Sequence, residues 1–272
     1  MLYRVIGISK QAVSQATSRQ HQFDEKLKWL IPKADAIRRE HPGCGVEKMY
    51  YTLKPDFMGR DRFIDVFMGL GYRVKRSRNF RRTTIASKIY YPNLIQGHKV
   101  DAPSRVWQSD ITFISMSDKF CYAVFIIDVY SKKIVGYQVS EHMRASANVR
   151  ALQMALQTHK PPQIHHSDRG SQYISKEYVS LLTQHNCKIS MGLTAQDNAY
   201  AERFHRTIKE EYLDYWKPKT FAQLKYQIRK AVKNYNSKRI HQEIKRETPL
   251  SLEYLFSTQQ VDDSFNITIF KP

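Results

Sequence analysis

Apolar positions recur at helical spacing through the first ~80 residues. From Asp24 to Glu40, Leu27, Leu30, Ile31, Ala34 and Ile37 fall on one stripe, and Pro32 marks a kink or break within it. Val46, Met49, Tyr50 and Leu53 define a second helix after the turn residues Pro42 and Gly43. Phe63, Ile64, Phe67 and Met68 define a third, which Gly69 and Gly71 end. Short helices joined by tight turns suit a helix-turn-helix unit. Upstream, Val5 to Ser14 reads as the centre of another such unit. Gly7 suits its turn, Ser9 the N-cap of the next helix, and Ala12 and Val13 that helix's buried side.

From Asp101 the pattern changes to strands. Val106–Ser115, Cys121–Tyr130 and Lys133–Ser140 are rich in Val, Ile, Tyr and Phe, the composition of a pleated, buried sheet. A helix is predicted over Ser146–Thr158 and is stopped by Pro161-Pro162. A strand over Gln163–Ser167, a helix over Lys176–Gln184 and a strand over Cys187–Met191 follow. A three-strand meander followed by alternating helix and strand predicts an α/β fold, with helices covering both faces of the sheet. Beyond Asn198 the pattern is helical again, through Phe204, Ile208 and Tyr212, then through Phe221, Leu224, Ile228, Ala231, Val232 and Tyr235. The last ~15 residues carry no periodic signal and are expected to fray.

Charge changes the picture. The 272 residues carry 44 Lys and Arg against 25 Asp and Glu, a net charge of +19. Such an excess repels itself in the folded state and calls for a polyanionic partner. Nucleic acid answers best, since each neutralised phosphate releases condensed counterions. Arg73, Lys75, Arg76, Arg78, Arg81, Arg82 and Lys88 follow one another without an acid, the make-up of a nucleic-acid-binding arm. Cys44, Cys121 and Cys187 lie far apart, which argues against a disulfide framework or a zinc module. There is no run of about 18 apolar residues to span a membrane, and the amino terminus lacks the signature of a signal peptide. A reducing, cytoplasmic setting is expected.

Three acids carry the candidate chemistry. Asp110 sits inside Trp107-Gln108-Ser109-Asp110-Ile111-Thr112-Phe113, where strand alternation puts it on a face with Gln108 and Thr112. A carboxylate is disfavoured in a strand, and buried there it costs several kcal/mol unless paired. Asp168 follows a strand end, the usual ligand edge of an open α/β sheet. Glu202 lies on the helix that starts near Asp197-Asn198-Ala199, with Arg206 and Lys209 on its stripe. Each acid alone is equally compatible with an ion pair or a solvated surface. Oxygen-only ligands suit Mg²⁺ or Mn²⁺, and two such ions serve phosphodiester chemistry.

Trp107-Gln108-Ser109-Asp110-Ile111-Thr112, His166-Ser167-Asp168-Arg169-Gly170-Ser171-Gln172-Tyr173 and Asp197-Asn198-Ala199-Tyr200-Ala201-Glu202 together resemble insertion-sequence transposases of the DDE superfamily, which have a retroviral-integrase-like core. Tyr235-Asn236, Arg239, His241 and Thr248-Pro249 resemble that family's ending, and Gly45 to Tyr50 the helical domain before its core. The resemblance implies a ribonuclease H-like core whose triad, Asp110, Asp168 and Glu202, binds two Mg²⁺ (or Mn²⁺) ions. It implies nicking at element ends and strand transfer by the exposed 3′-hydroxyls. Arg206 and Lys209 are then expected to touch the terminal DNA. A homo-multimer on paired ends, a separate upstream helix-turn-helix partner and action at a bacterial nucleoid are expected too. The predicted organisation is a helical DNA-binding region over 1–80, a basic linker over 81–100, the catalytic core over 101–216 and a helical extension over 217–272.

Two departures stand out. Only 33 residues separate Asp168 from Glu202, two fewer than the family commonly carries, and the shortfall maps to the loop Gly192–Gln196. Because Asp197-Asn198-Ala199 keeps its offset, Glu202 is preferred to Glu210 and Glu211. His21, His41 and Cys44 fall short of an integrase-type zinc site, so no zinc is expected. Asp128 is read as structural or supporting, and His165 and His166 as packing groups near the strand end. A nuclease of the same fold that does not join DNA, and a catalytically silent DNA-binding relative, are the alternative readings.

Overall fold

The computed structural model describes residues 9–74, 91–116, 120–192 and 195–269, and the chain divides into two compact units, one ending at Lys75 and the other starting at Arg76. In the first unit, Ser9 caps α1 (Lys10–Glu40), its hydroxyl accepting from the Ala12 amide at 3.1 Å. Leu30 and Ala34 of α1, Met49 of α2 (Val46–Leu53) and Phe63 and Phe67 of α3 (Arg60–Gly69) form the core. The two phenylalanine rings stack with centroids 4.1 Å apart.

Two expectations fail here. Of the kink or break expected at Pro32, the break does not occur, since α1 runs through it. Leu30 and Ala34, the buried residues of α1, lie on either side of Pro32, and burial at roughly 1.5–3 kcal/mol for a large apolar side chain is of the size of the ~3 kcal/mol penalty of an internal proline. Nor do Ala12 and Val13 form a buried face, for Ala12 is exposed and Val13 only partly covered. Ser9 opens this same long helix, whose first turns lie outside the unit's hydrophobic cluster. Gly7, the proposed turn residue, lies outside the described residues.

In the second unit a short strand β1 (Lys99–Val100) precedes the meander of β2 (Val106–Ser115), β3 (Phe120–Asp128) and β4 (Ile134–Ser140). After α4 (Ala145–Thr158) the chain returns as β5 (Ile164–Ser167), then α5 (Lys176–Gln184) and β6 (Lys188–Met191). The five-stranded sheet has the order β4-β3-β2-β5-β6, antiparallel through the meander and parallel from β2 to β6. The apolar alternation then places the cores. Trp107, Val124 and Ile126 point toward α4 and α5, while Ile114, Ala123, Phe125 and Ile127 point toward α6 (Ala199–Ile208) and α7 (Phe221–Ser237). At β4 the fit to α4 needs a glycine, because a Cβ on Gly136 would stand 2.3 Å from the Ala151 carbonyl oxygen.

The carboxyl-terminal part is more ordered than its pattern suggests. Leu252 of α8 (Pro249–Ser257) joins a third cluster with Ile95, Val129, Tyr130 and Ile244. Residues expected to fray instead supply β7 (Ile267–Thr268), which pairs antiparallel with β1, and Ile269, which is fully buried. A two-residue strand has no periodicity to read. None of the described helices is long and apolar enough to cross a membrane.

Candidate active site

Asp110 lies mid-way along β2, and its Cα pairs with that of Phe125 on β3. On its other side β2 runs parallel to β5, in the register Gln108 to His166 and Ser109 to Ser167. One residue further along each chain stand Asp110 and Asp168. Two carboxylates therefore leave adjacent strands at one level, where strand spacing is about 4.8 Å. Asp168 falls just past the carboxyl end of β5, the edge at which such sheets bind ligands.

Neighbouring carboxylates in a poorly solvated place resist ionising together. Burial, and next the charge of Asp168, push the Asp110 carboxyl well above the usual range. The Ile111 amide, donating to Oδ1 at 2.8 Å, acts the other way, Glu202 adds to the rise and Lys209 opposes it. Burial also raises Asp168, offset by the Gly170 amide donating to its Oδ1 at 3.0 Å. A Cβ on Gly170 would come within 3.0 Å of that same oxygen, so glycine lets the turn close around the carboxylate. His205 of α6 sets Nδ1 3.3 Å from Asp110 Oδ2. Burial, with the charge of Lys209, lowers this imidazole to about 3, against a hydrogen bond to the Asp110 backbone that raises it, so the approach is that of a neutral ring to the carboxyl rather than an ion pair.

Glu202 comes from the first turn of α6, exposed, where the helix dipole favours an anion. The preceding Asp197-Asn198 pair docks this helix start onto β2. Asn198 Nδ2 donates to the Ser109 carbonyl at 3.2 Å, and Gln108 Nε2 to the Asp197 carbonyl at 3.3 Å. Asn93 Nδ2 donates to Asp197 Oδ1 at 3.2 Å. Gly192 allows the approach, since a Cβ there would stand 2.6 Å from the Asp197 Cβ; Leu193 and Thr194 of the same loop lie outside the described residues. Asp168 and Glu202 both reach the Asp110 carboxyl through their charge, but the three acids do not form a closed cage. Among the described residues no three Asp, Glu, His or Cys side chains are gathered as ready ligands of one ion.

The remaining candidates separate. Arg206 is exposed on α6, but Lys209 is half-buried where a π-helical turn, Lys209–Leu213, begins. Burial lowers the Lys209 ammonium, against the pull of Asp214 and Asp110. Arg73 is exposed in the helical unit; Lys75, Arg76, Arg78, Arg81, Arg82 and Lys88 lie outside the described residues. Asp128 is fully occupied in the β3–β4 turn, accepting from the Ser131 amide at 2.8 Å and the Ser104 amide at 2.6 Å. His165 meets the Tyr178 hydroxyl at 3.0 Å and His166 Nδ1 the Ser190 hydroxyl at 2.8 Å, both within the core. The pattern of the sequence did not single out His205, Asn198, Gln108 or Asn93 as supports of the acids. For His205 a signal existed, since it lies one helical turn after Glu202 on a face that also carries Phe204 and Ile208.

Comparison with known proteins identifies the family. Two models described as integrase core domain match residues 100–196 and 183–249. The chain is 35% identical over 225 residues to the insertion element IS600 uncharacterized 31 kDa protein of Shigella sonnei, covering 79% of this chain and 83% of that one. To the transposase for insertion sequence element IS904 of Lactococcus lactis it is 35% identical over 193 residues, 68% of this chain and 76% of the relative. Its fold resembles a chain of the simian T-cell lymphotropic virus intasome, with a TM-score of 0.50 at 16% identity over 62% of this chain and 61% of that one. An integrase core with a ribonuclease H-like fold, shared with insertion-sequence transposases, defines a DDE-type polynucleotidyl transferase, an enzyme of DNA cleavage and strand transfer. The chain belongs to the insertion-sequence transposases of that superfamily.

Proposed function

We propose that Asp110, Asp168 and Glu202 form the metal-binding catalytic triad of a transposase that nicks the ends of its element and joins them to another DNA segment. The observation that carries this reading is the parallel register of β2 and β5, which sets Asp110 beside Asp168, with the charge of Glu202 felt from α6. The donor set fits hard divalent cations: carboxylate oxygens only, two of them desolvated and mutually repelling. Asp110 and Asp168 would share one Mg²⁺ or Mn²⁺ and Glu202 would complete the shell of a second. When bound, such a pair supplies an activated attacking oxygen and a stabilised leaving oxygen.

The chain's own groups orient and bind. Amides of Ile111 and Gly170 and the neutral His205 ring fix how the two aspartates are turned. Arg206 and Lys209 take phosphates of the terminal strand, and the segment from Arg73 to Lys88 contacts the duplex backbone. Hydrolysis at the element's end frees a 3′-hydroxyl. In transfer, that oxygen forms a new bond to a target phosphorus while the target's own bond from phosphorus to its 3′ oxygen breaks, releasing a 3′-hydroxyl. The proposed organisation is a DNA-binding helical region over 1–80, a linker over 81–100, the core over 101–216 and an extension over 217–272. It acts as a homo-multimer on paired ends, with an upstream helix-turn-helix protein as a further partner, at the bacterial nucleoid.

The test supplies pre-nicked element ends, target DNA and Mg²⁺ and sequences any junctions. Joined products are expected from the wild type. Asp110→Asn, Asp168→Asn and Glu202→Gln should each abolish them while DNA affinity stays within about twofold, the loss expected when reacting groups and not DNA-binding groups are removed. Hydrolysis without joining would favour a nuclease. Equal loss of DNA binding in the three variants would overturn the metal role.

A further inference from the structure

The catalytic helix is held from outside the sheet by a short stretch of the carboxyl-terminal extension. After α6 the helix widens into the π turn Lys209–Leu213, which places Glu211 against Arg239. The contact is a two-point fork, Nε to Oε2 and Nη2 to Oε1, both at 2.8 Å, with side chains only 10% and 17% exposed. Arg239 Nη1 also lies 2.9 Å from His241 Nδ1, and the His241 ring packs edge-on against Tyr235 at 4.5 Å. A second tie to the same turn runs from the Tyr212 hydroxyl to Asn234 Oδ1 at 2.7 Å.

Four residues beyond Arg239, Glu243 grips the other end. It pairs with Arg203 of α6, and its Oε2 lies 3.6 Å from Nζ of Lys132, a buried lysine in the β3–β4 connection. That same Nζ lies 3.8 Å from the ring centroid of Tyr200, two residues before Glu202. Glu243 and Arg239 thus hold the helix at Arg203, the residue after Glu202, and at Glu211, two residues past Lys209.

A π turn is an uncommon departure from the α-helix, and it rotates whatever follows it relative to what precedes it. A planar guanidinium bonded at two points specifies an angle as well as a distance, which a single point charge does not. We propose that Arg239–Glu243 is a clamp that sets the orientation of the catalytic helix, with Arg239 acting through Glu211 as a positioning residue for Glu202 and Lys209. Arg239 touches none of the three acids in the structure. The inference rests on the functional reading above only for its effect on activity; its effect on the helix stands apart from that reading.

The test uses the full chain. Exchanging both partners for apolar residues, Glu211→Leu with Arg239→Met, removes the directed fork but leaves no unpaired charge, a change that buried ion pairs often tolerate. The expected result is a folded protein with unchanged DNA affinity, faster amide hydrogen exchange across 199–213, and strand transfer slowed at least about tenfold, on the scale of losses from small misplacements of reacting groups. Wild-type exchange across 199–213 overturns the clamp, whatever the activity, and so does wild-type strand transfer from a wild-type enzyme that joins ends. If the double variant fails to fold, Arg239→Lys is read in the same way, since it keeps the charge and loses the fork. Asp110→Asn is measured alongside. Joining that persists in it refutes the functional reading but leaves the exchange result to judge the clamp.

Discussion

His165 is neutral because it is buried. Its ring is enclosed next to β2, meets the Tyr178 hydroxyl at 3.0 Å, and is lowered by burial, and secondarily by His166, from 6.5 to about 3. The unfolded chain therefore takes up this proton first as pH falls. Stability that the neutral ring contributes is complete above pH 6.5 and is lost between 6.5 and about 3. In that window one proton corresponds to roughly 1.4 kcal/mol per pH unit. His165→Gln keeps a polar group near Tyr178 and does not titrate. At pH 7 it should be less stable than the wild type, through poorer packing, and the gap should narrow as pH falls toward 5, in urea melts of both proteins. A gap that stays constant with pH would show that the ring titrates normally and is not enclosed as described.

At the scale of elements, β4 and α4 approach as closely as they do because position 136 has no side chain. A Cβ there would lie 2.3 Å from the Ala151 oxygen and 2.9 Å from the Ala155 Cβ, and both are parts of a helix that cannot simply rotate aside. Gly136→Ala should cost about 1–3 kcal/mol, as overpacking commonly does, seen as a lower urea midpoint at unchanged slope; an unshifted midpoint would mean α4 has room to move. Elements of this kind were legible where burial on one face repeats. The strands of the meander and helices α2, α5 and α7 follow their apolar period closely, and Asp110 was visible as a carboxylate in the wrong company. The continuity of α1 through Pro32 was not legible, because it depends on tertiary packing of Leu30 and Ala34. Neither was the π turn, since the period through Phe204, Ile208 and Tyr212 reads as plain α-helix while the extra residue is stabilised by Arg239, 28 positions from Glu211. The adjacency of Asp110 and Asp168 is a matter of strand register, which the motifs implied only through resemblance.

Across the whole molecule the surplus of 19 positive charges remains after every acid is counted, and its densest tract without an acid is the segment from Arg73 to Lys88. Phosphate contacts of this sort supply affinity without reading sequence, and each releases counterions, so their number appears directly in how binding responds to salt. A protein that neutralises 6–10 phosphates in this way loses about 10³–10⁵ in affinity between roughly 50 and 200 mM salt. Replacing Lys75, Arg76, Arg78, Arg81 and Arg82 with Gln should weaken binding to unrelated duplexes and to the element's own ends by the same factor. It should also reduce the magnitude of the slope of log affinity against log salt by about 0.9 for each phosphate that is no longer neutralised. Asp110→Asn gives the contrast, since a carboxylate that holds metal releases no counterions from DNA and should leave the slope as it was. An arm variant with an unchanged slope would mean that the segment is a solvated spacer and that the charge acts elsewhere, with the exposed Lys225, Arg229, Lys230 and Lys233 of α7 next to be neutralised.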